Sequence, residues 1–194
     1  MGELKSAWEI AQGKADRLGK LSAEELQQQR EERCRQTGQA IAQRYLDNIE
    51  PLDLDVELEK HPEGEQGLTK RAAAKRLVEA LDLSSQAGTG RRPARGDGGM
   101  DRVIQGIAML EPKSGAILEQ LRQLFQEYEA ATGQTGREIK SKGRERLHRL
   151  RISGTAVGAI NVEAVPGWQQ AWQRLRQPFE PRLDHLKQEL TKLF

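Results

Sequence analysis

Apolar residues recur along this chain mostly at helical spacing, in short stretches separated by polar runs. Leu4, Ala7, Trp8, Ala11, Ala15 and Leu18 share one stripe that Gly19 is placed to end. Ser22 and Glu25 then form a capping-box pattern, with Leu21 and Leu26 at the staple positions on either side. From Gln27 to Arg33 the chain is polar all round, and Cys34, Ala40, Ile41 and Tyr45 restore an apolar face only later. A helix of that kind projects into solvent over its polar part. Leu52, Leu54, Val56 and Leu58 alternate as in a short strand, with a helical turn or an extended arm as alternatives. Pro51, Pro62 and Gly64 break any long helix there, so the next helix is expected over 68–83, with Thr69 as its cap. Its inward face is Ala73, Ala74, Leu77, Val78 and Leu81.

Residues 84–99 are Ser, Gly, Arg and Pro without an apolar period, which predicts a flexible linker between a helical region 1–83 and a helical bundle 100–194. The Arg95-Gly96-Asp97 tripeptide inside it is read as chance. Val103, Ile104, Ile107, Ala108 and Leu110 predict a short helix that Pro112 stops. Ile117, Leu121, Leu124, Phe125 and Tyr128 follow the 3.6-residue period, Gly133 supplies a stop, and Thr135 with Glu138 forms a second capping-box pattern. Two antiparallel helices joined at Gly133 follow, the second with a seam at Ile139, Gly143, Leu147 and Leu150. Residues 152–165 carry glycines, β-branched residues and alternation, and predict an extended segment or a small β-hairpin. Trp168, Trp172 and Leu175 share a face of a helix ended by Pro178, and Phe179, Leu183, Leu186, Leu190 and Leu193 step at coiled-coil spacing over two heptads. The fold class is mainly α.

Composition sharpens this picture in one respect. Charged residues are 31% of the chain and aromatics 4%, while Leu, Ile, Val and Phe together make about a fifth. So little apolar material supports a modest core, and one-sided helices over a small core leave surface for self-association. No apolar run is long enough to span a bilayer. The first residues, Met1 to Lys5, include an acid and lack the apolar stretch of a signal peptide. Gly2 and Ser6 have myristoylation spacing, which Glu3 disfavours. With Cys34 as the single cysteine, a reducing cytoplasm is the expected compartment.

Candidate chemistry is sparse. His61, His148 and His185 lie in separate elements with no second ligand at metal spacing, and no phosphate loop, dinucleotide fingerprint or nucleophile elbow occurs. Cys34, between Arg33 and Arg35, is read as an incidental thiol. No metal, cofactor or catalytic residue is assigned, and an enzyme is not expected. The acidic run 50–66, with seven acids against one lysine, reads as a solvated or partner-facing surface. The strongest charge signal is the predicted helix 137–151. There Arg137, Lys140, Arg144 and Arg151 flank one side of the seam, and Lys142, Arg146 and Arg149 flank the other. These cations could hold phosphates or an acidic partner, with the linker arginines 91, 92 and 95 as a mobile arm. They could equally be a solvated face whose aliphatic stems cover the seam. A peripheral membrane contact ranks below both. Trp168 and Trp172 read first as bulk of the C-terminal core, and otherwise as protein-interface anchors.

The stretches 1–11 (Met-Gly-Glu-Leu-Lys-Ser-Ala-Trp-Glu-Ile-Ala), 18–25 (Leu-Gly-Lys-Leu-Ser-Ala-Glu-Glu) and 152–157 (Ile-Ser-Gly-Thr-Ala-Val), with Asn161-Val162, resemble an uncharacterised bacterial protein family. That resemblance implies a bacterial cytoplasmic protein and carries no activity. Tyr45-Leu46-Asp47-Asn48-Ile49-Glu50 is similar to the start of the helical bundle in GrpE-type nucleotide-exchange factors, an analogy of architecture. The function therefore expected is a non-catalytic helical interaction protein, an adaptor, scaffold or cochaperone-like chain that meets a protein partner or a second copy. The alternative is a nucleic-acid-associated protein that uses the basic helix.

Overall fold

The structure is a computed structural model that describes residues 22–47, 53–83, 99–151 and 165–194. The expected helix over 4–18, the linker 84–99 apart from Gly99, which is already helical, and the extended segment 152–165 apart from Val165 lie outside the described residues. Among the described residues the chain is mainly helical and contains no strand.

Helix α1 (Ala23–Asp47) begins where the local chemistry predicts. The Ser22 amide donates to Glu25 Oε2 at 2.7 Å and the Glu25 amide donates to Ser22 Oγ at 3.1 Å, so the capping box closes in both directions. Its first turns are exposed on every side. They are held by bonds along their own surface, among them Gln27 to Glu31 and a two-pronged Arg35–Glu32 pair at 2.8 and 2.7 Å. Further on, Cys34, Gly38, Ile41, Ala42 and Tyr45 form a buried stripe.

The alternation at 52–58 is resolved as helix rather than strand. Asp53 Oδ1 accepts the Asp55 amide at 3.1 Å and opens α2 (Leu54–Glu59). Leu54 and Leu58, one turn apart, are buried, whereas Val56 is 51% exposed. Helix α3 (Glu63–Glu79) starts five residues before the expected Leu68. Pro62 sits just ahead of its first turn, where a missing amide costs no helical bond, so it opens the helix instead of breaking it. Thr69 is consequently no cap. It is a buried mid-helix residue whose Oγ1 donates to the Glu65 carbonyl at 2.9 Å. The five predicted inward residues, Ala73 through Leu81, are all buried.

Helices α1 and α3 lie side by side and parallel. Arg30 pairs with Glu65 at 3.1 Å, Gly38 meets Thr69, and Arg76 Nη2 donates to Gln43 Oε1 at 2.8 Å. At Gly38 the two backbones touch: an added Cβ would fall 2.3 Å from the Thr69 carbonyl oxygen.

Helix α4 (Gly99–Leu110) buries Val103, Ile104, Ile107 and Leu110, as its periodicity predicts. Tyr45 OH donates to the Arg102 carbonyl at 3.1 Å while the Arg102 guanidinium lies 4.7 Å from the Tyr45 ring centre, which ties α4 to α1. A 3₁₀ turn, Pro112–Ser114, leads into α5.

Helix α5 (Gly115–Arg149) is one unbroken element of 35 residues, about 50 Å long. The expected antiparallel pair joined at Gly133 is thus replaced by a single helix. A glycine inside a helix costs only about 1 kcal/mol relative to Ala. Burial of Leu118, Leu121, Leu124, Phe125 and Tyr128 before it, and of Ile139 after it, outweighs that cost. The Thr135–Glu138 pattern has no chain break to cap, and Glu138 instead accepts from Gln134 at 3.2 Å. Gly133 has open space around it. Gly133→Ala should therefore raise stability by about 1 kcal/mol, seen as a rise in the thermal midpoint.

Helix α6 (Trp168–Arg176) packs on α5, and α7 (Glu180–Leu193) lies against α5 and α3. Phe179, Leu183, Leu186 and Leu190 are buried, so the heptad-like stripe of α7 is spent on the chain's own core up to Leu190, while Leu193, its last predicted member, is 38% exposed. Phe179 meets Tyr128 edge-on at 5.2 Å. Among the described residues the buried apolar side chains other than Cys34 and Ile139 form one cluster drawn from both sides of 84–98, from Ile41 and Leu77 to Leu121 and Leu190.

Candidate functional site

The residues of the predicted basic helix divide in two ways. Arg137, Lys140, Lys142, Arg144, Arg146 and Arg149 lie on the last four turns of α5 and are exposed. Arg151 lies beyond the helix, which ends at Arg149, and takes a left-handed φ of 56° after the Leu150 cap. The basic helix is therefore shorter than the expected 137–151. Among the described residues none of the seven has a carboxylate within 4.0 Å. Arg137 Nε donates to the Gly133 carbonyl at 3.3 Å.

The seam between the two cationic flanks is closed. Ile139 and Gly143 are buried and Leu147 is half-buried, so the apolar face is used and the cations remain outside it. Leu150, at the tip, is 63% exposed. Arg146 and Arg149 in the last turn also face the negative end of the helix dipole, which gives these two a structural role as well.

Trp168 and Trp172 are half-buried and stand outside the core cluster, contrary to their expected place as its bulk. Tyr45, Phe125, Tyr128 and Phe179 supply the aromatic part of the core instead. The tryptophans share a side of α6 with Ala171 and Leu175, and Leu175 packs against the cluster.

One feature had no signal in the sequence. A cleft of about 230 Å³ opens between the segment after α3 and the start of α7, lined by Asp82, Leu83, Arg176, Glu180, Leu183, Asp184 and Lys187. Arg176 holds it together, with Nη2 3.9 Å from Asp82 Oδ1 and Nε 3.5 Å from Glu180 Oε1. These pairs are part-exposed and worth little individually. Nearby Tyr128 is fully buried, and among the described residues its hydroxyl completes no hydrogen bond of good geometry, the Thr132 hydroxyl acting on it only weakly. Burial pushes its phenol above the ordinary tyrosine value, and the Arg176 guanidinium offsets part of that shift. Burial raises Tyr45 in the same way, against Arg102.

Two results follow for Tyr128. An unsatisfied buried hydroxyl is a cost to folding, so Tyr128→Phe should leave stability unchanged or raise it by about 1 kcal/mol in chemical unfolding. A phenol whose folded pKa lies above its unfolded value stabilises the fold below the unfolded pKa. That contribution is lost as pH rises through the folded value. Stability should therefore fall above about pH 10, and less steeply in Tyr128→Phe.

Among the described residues no three His, Cys, Asp or Glu side chains converge as a metal site, and no helix is long and apolar enough to cross a membrane. Cys34 is 2% exposed in the stripe of α1 that holds Gly38.

The fold and this surface define a mainly α-helical protein whose longest helix ends in an uncovered cationic segment. The chain belongs to a family of unknown function, DUF6657, whose pattern matches residues 55–192. The match runs from α2 to α7 and takes in the cationic segment, both α6 tryptophans and the cleft, while α1 lies outside it. Of the stretches that carried the bacterial resemblance, those at 152–157 and 161–162 fall within it. No curated protein and no solved structure matches the chain.

Proposed function

We propose that this chain is a non-catalytic helical interaction protein of a bacterial cytoplasm, an adaptor, scaffold or cochaperone-like chain, and that it meets an acidic protein surface with the end of α5. The observation that carries this reading is the set of cations from Arg137 to Arg151, exposed and without carboxylates among the described residues, on a helix whose apolar seam is already covered. Like charges held together repel, and an acidic partner relieves that repulsion. A bilayer is a poorer fit, because an interfacial helix needs a free apolar face and Ile139 and Gly143 are buried. Trp168 and Trp172, half-buried on α6, are the natural second contact for the same partner.

Nucleic acid is the rival reading, and the same two cationic flanks favour it. Against it stand the net charge of +2 and an aromatic content of 4%, which offer neither a long-range attractive field nor a platform for base stacking.

The test is photocrosslinking in the cell from a benzoylphenylalanine at Ser141, an exposed position among the cations. Protein adducts that vanish in Arg144→Glu/Arg146→Glu/Arg149→Glu are the expected result. Nuclease-sensitive adducts would transfer the surface to the rival reading, and no adduct at all would defeat both.

A further inference from the structure

The cationic end of α5 has an electrostatic counterpart in the same chain. From Asp53 to Glu65, through α2 and the first turn of α3, there are six carboxylates and one lysine, a balance of −5. From Arg137 to Arg151 there are seven cations and two acids, a balance of +5. Part of the acidic set is already engaged: Glu57 pairs with Lys60 at 2.5 Å and Glu65 with Arg30 at 3.1 Å. Asp55, Glu59 and Glu63 are exposed and have no cation within 4.0 Å among the described residues. Among the described residues no ion pair joins the two surfaces within one copy. Each surface also carries an uncovered apolar side chain, Val56 at 51% on the acidic side and Leu150 at 63% on the cationic side.

We infer that the acidic surface docked by the end of α5 is α2 and the start of α3 of a second copy of this chain. This rests on the reading of α5 as a partner-binding surface and names the partner. Two copies related by a two-fold axis would make the contact twice, with Arg144, Arg146 and Arg149 of each copy opposite Asp55, Glu59 and Glu63 of the other. Val56 and Leu150 would then leave solvent at the contact. Attraction between exposed charges is screened by salt, so the association must weaken steeply as ionic strength rises.

The experiment is light scattering behind size exclusion at about 0.1 mM protein, in about 50 mM and about 1 M salt. The expected result is a mass of two copies or more at low salt and of one copy at high salt. Arg144→Glu/Arg146→Glu/Arg149→Glu and, separately, Asp55→Lys/Glu59→Lys/Glu63→Lys should each be monomeric at low salt. An equimolar mixture of the two should recover the wild-type mass, because each reversed surface then meets its complement. That recovery also shows that both variants are folded. A wild-type monomer at low salt, an assembly that persists at high salt, or a mixture that stays monomeric would overturn the inference. If the Ser141 crosslink meanwhile captures a different protein, the proposed function stands and only the self-docking falls.

Discussion

Gly38→Ala is expected to lower the stability of this protein by about 3 kcal/mol, the upper part of the range for overpacked cores, with a fall of about 10 °C in the thermal midpoint. The new methyl would lie 2.3 Å from the Thr69 carbonyl oxygen, 2.8 Å from Ala72 Cβ and 2.9 Å from the Ala73 nitrogen. Two of those three atoms are backbone, so no rotamer change relieves the contact and α1 must move off α3. The displacement would carry Cys34, Ile41 and Ala42 with it, since they share the same buried stripe. The opposite sign expected for Gly133→Ala makes this a sharp comparison, because both glycines are helical and only one touches a neighbour. Thermal melts of the two variants beside wild type check both. A Gly38→Ala protein as stable as wild type would mean that α1 and α3 do not approach at Gly38 as described.

Leu77→Ala is the second large effect, a loss of about 3 kcal/mol from lost burial and the cavity left behind. Leu77 is fully buried on α3, and its Cδ1 is one of the atoms a Cβ on Gly106 of α4 would meet, at 2.9 Å. Tyr45 of α1 and Leu54 of α2 surround the same glycine, so four helices meet at this point. Because the cluster continues to Leu121 and Leu190, the loss should appear in the whole cooperative transition. Denaturation followed by tryptophan fluorescence in a Trp8→Phe background, where the signal comes from Trp168 and Trp172 of α6, and by far-UV dichroism should shift to the same new midpoint. A shift in the dichroism alone would separate the core into independent parts.

Much of this fold was legible wherever a few neighbouring residues decide the structure. Ser22 and Glu25 close their capping box by local bonds, and the periodic residues of α3, α4 and α7 fall on buried or half-buried faces, with Leu193 at the end of α7 the exposed exception. The alternation at 52–58 was ambiguous because a run of four apolar residues fits two periods. Asp53, as a cap for the Asp55 amide, settles it for helix. Gly133 is not decided by the sequence, because a glycine that ends a helix and one that lies inside it look alike. What distinguishes them is whether the following turns can bury something, as Ile139 and Gly143 do.

The candidate site was legible in part for similar reasons. Charge along residues 137–151 is a property of composition, so it could be read directly. Whether those cations have acidic neighbours is tertiary, and so is the fate of Trp168 and Trp172, which packing leaves half-buried. The cleft at Arg176 joins residues 82, 176 and 180, and no spacing rule links the first to the others.

Both the fold and the function proposed for this chain depend on α5 continuing through Gly133 as one helix that carries the cations at its end. The most direct test is the distance between spin labels at Gln123→Cys and Arg149→Cys, both exposed on α5, with the buried Cys34 replaced by Ala. A continuous helix places the two labelled positions about 40 Å apart. Two antiparallel helices turning at Gly133 would bring them to within about 20 Å, since packed helix axes lie 8–10 Å apart and the labels add their own length. A single distribution near the longer distance is the predicted result, and one centred on the shorter distance would contradict the account.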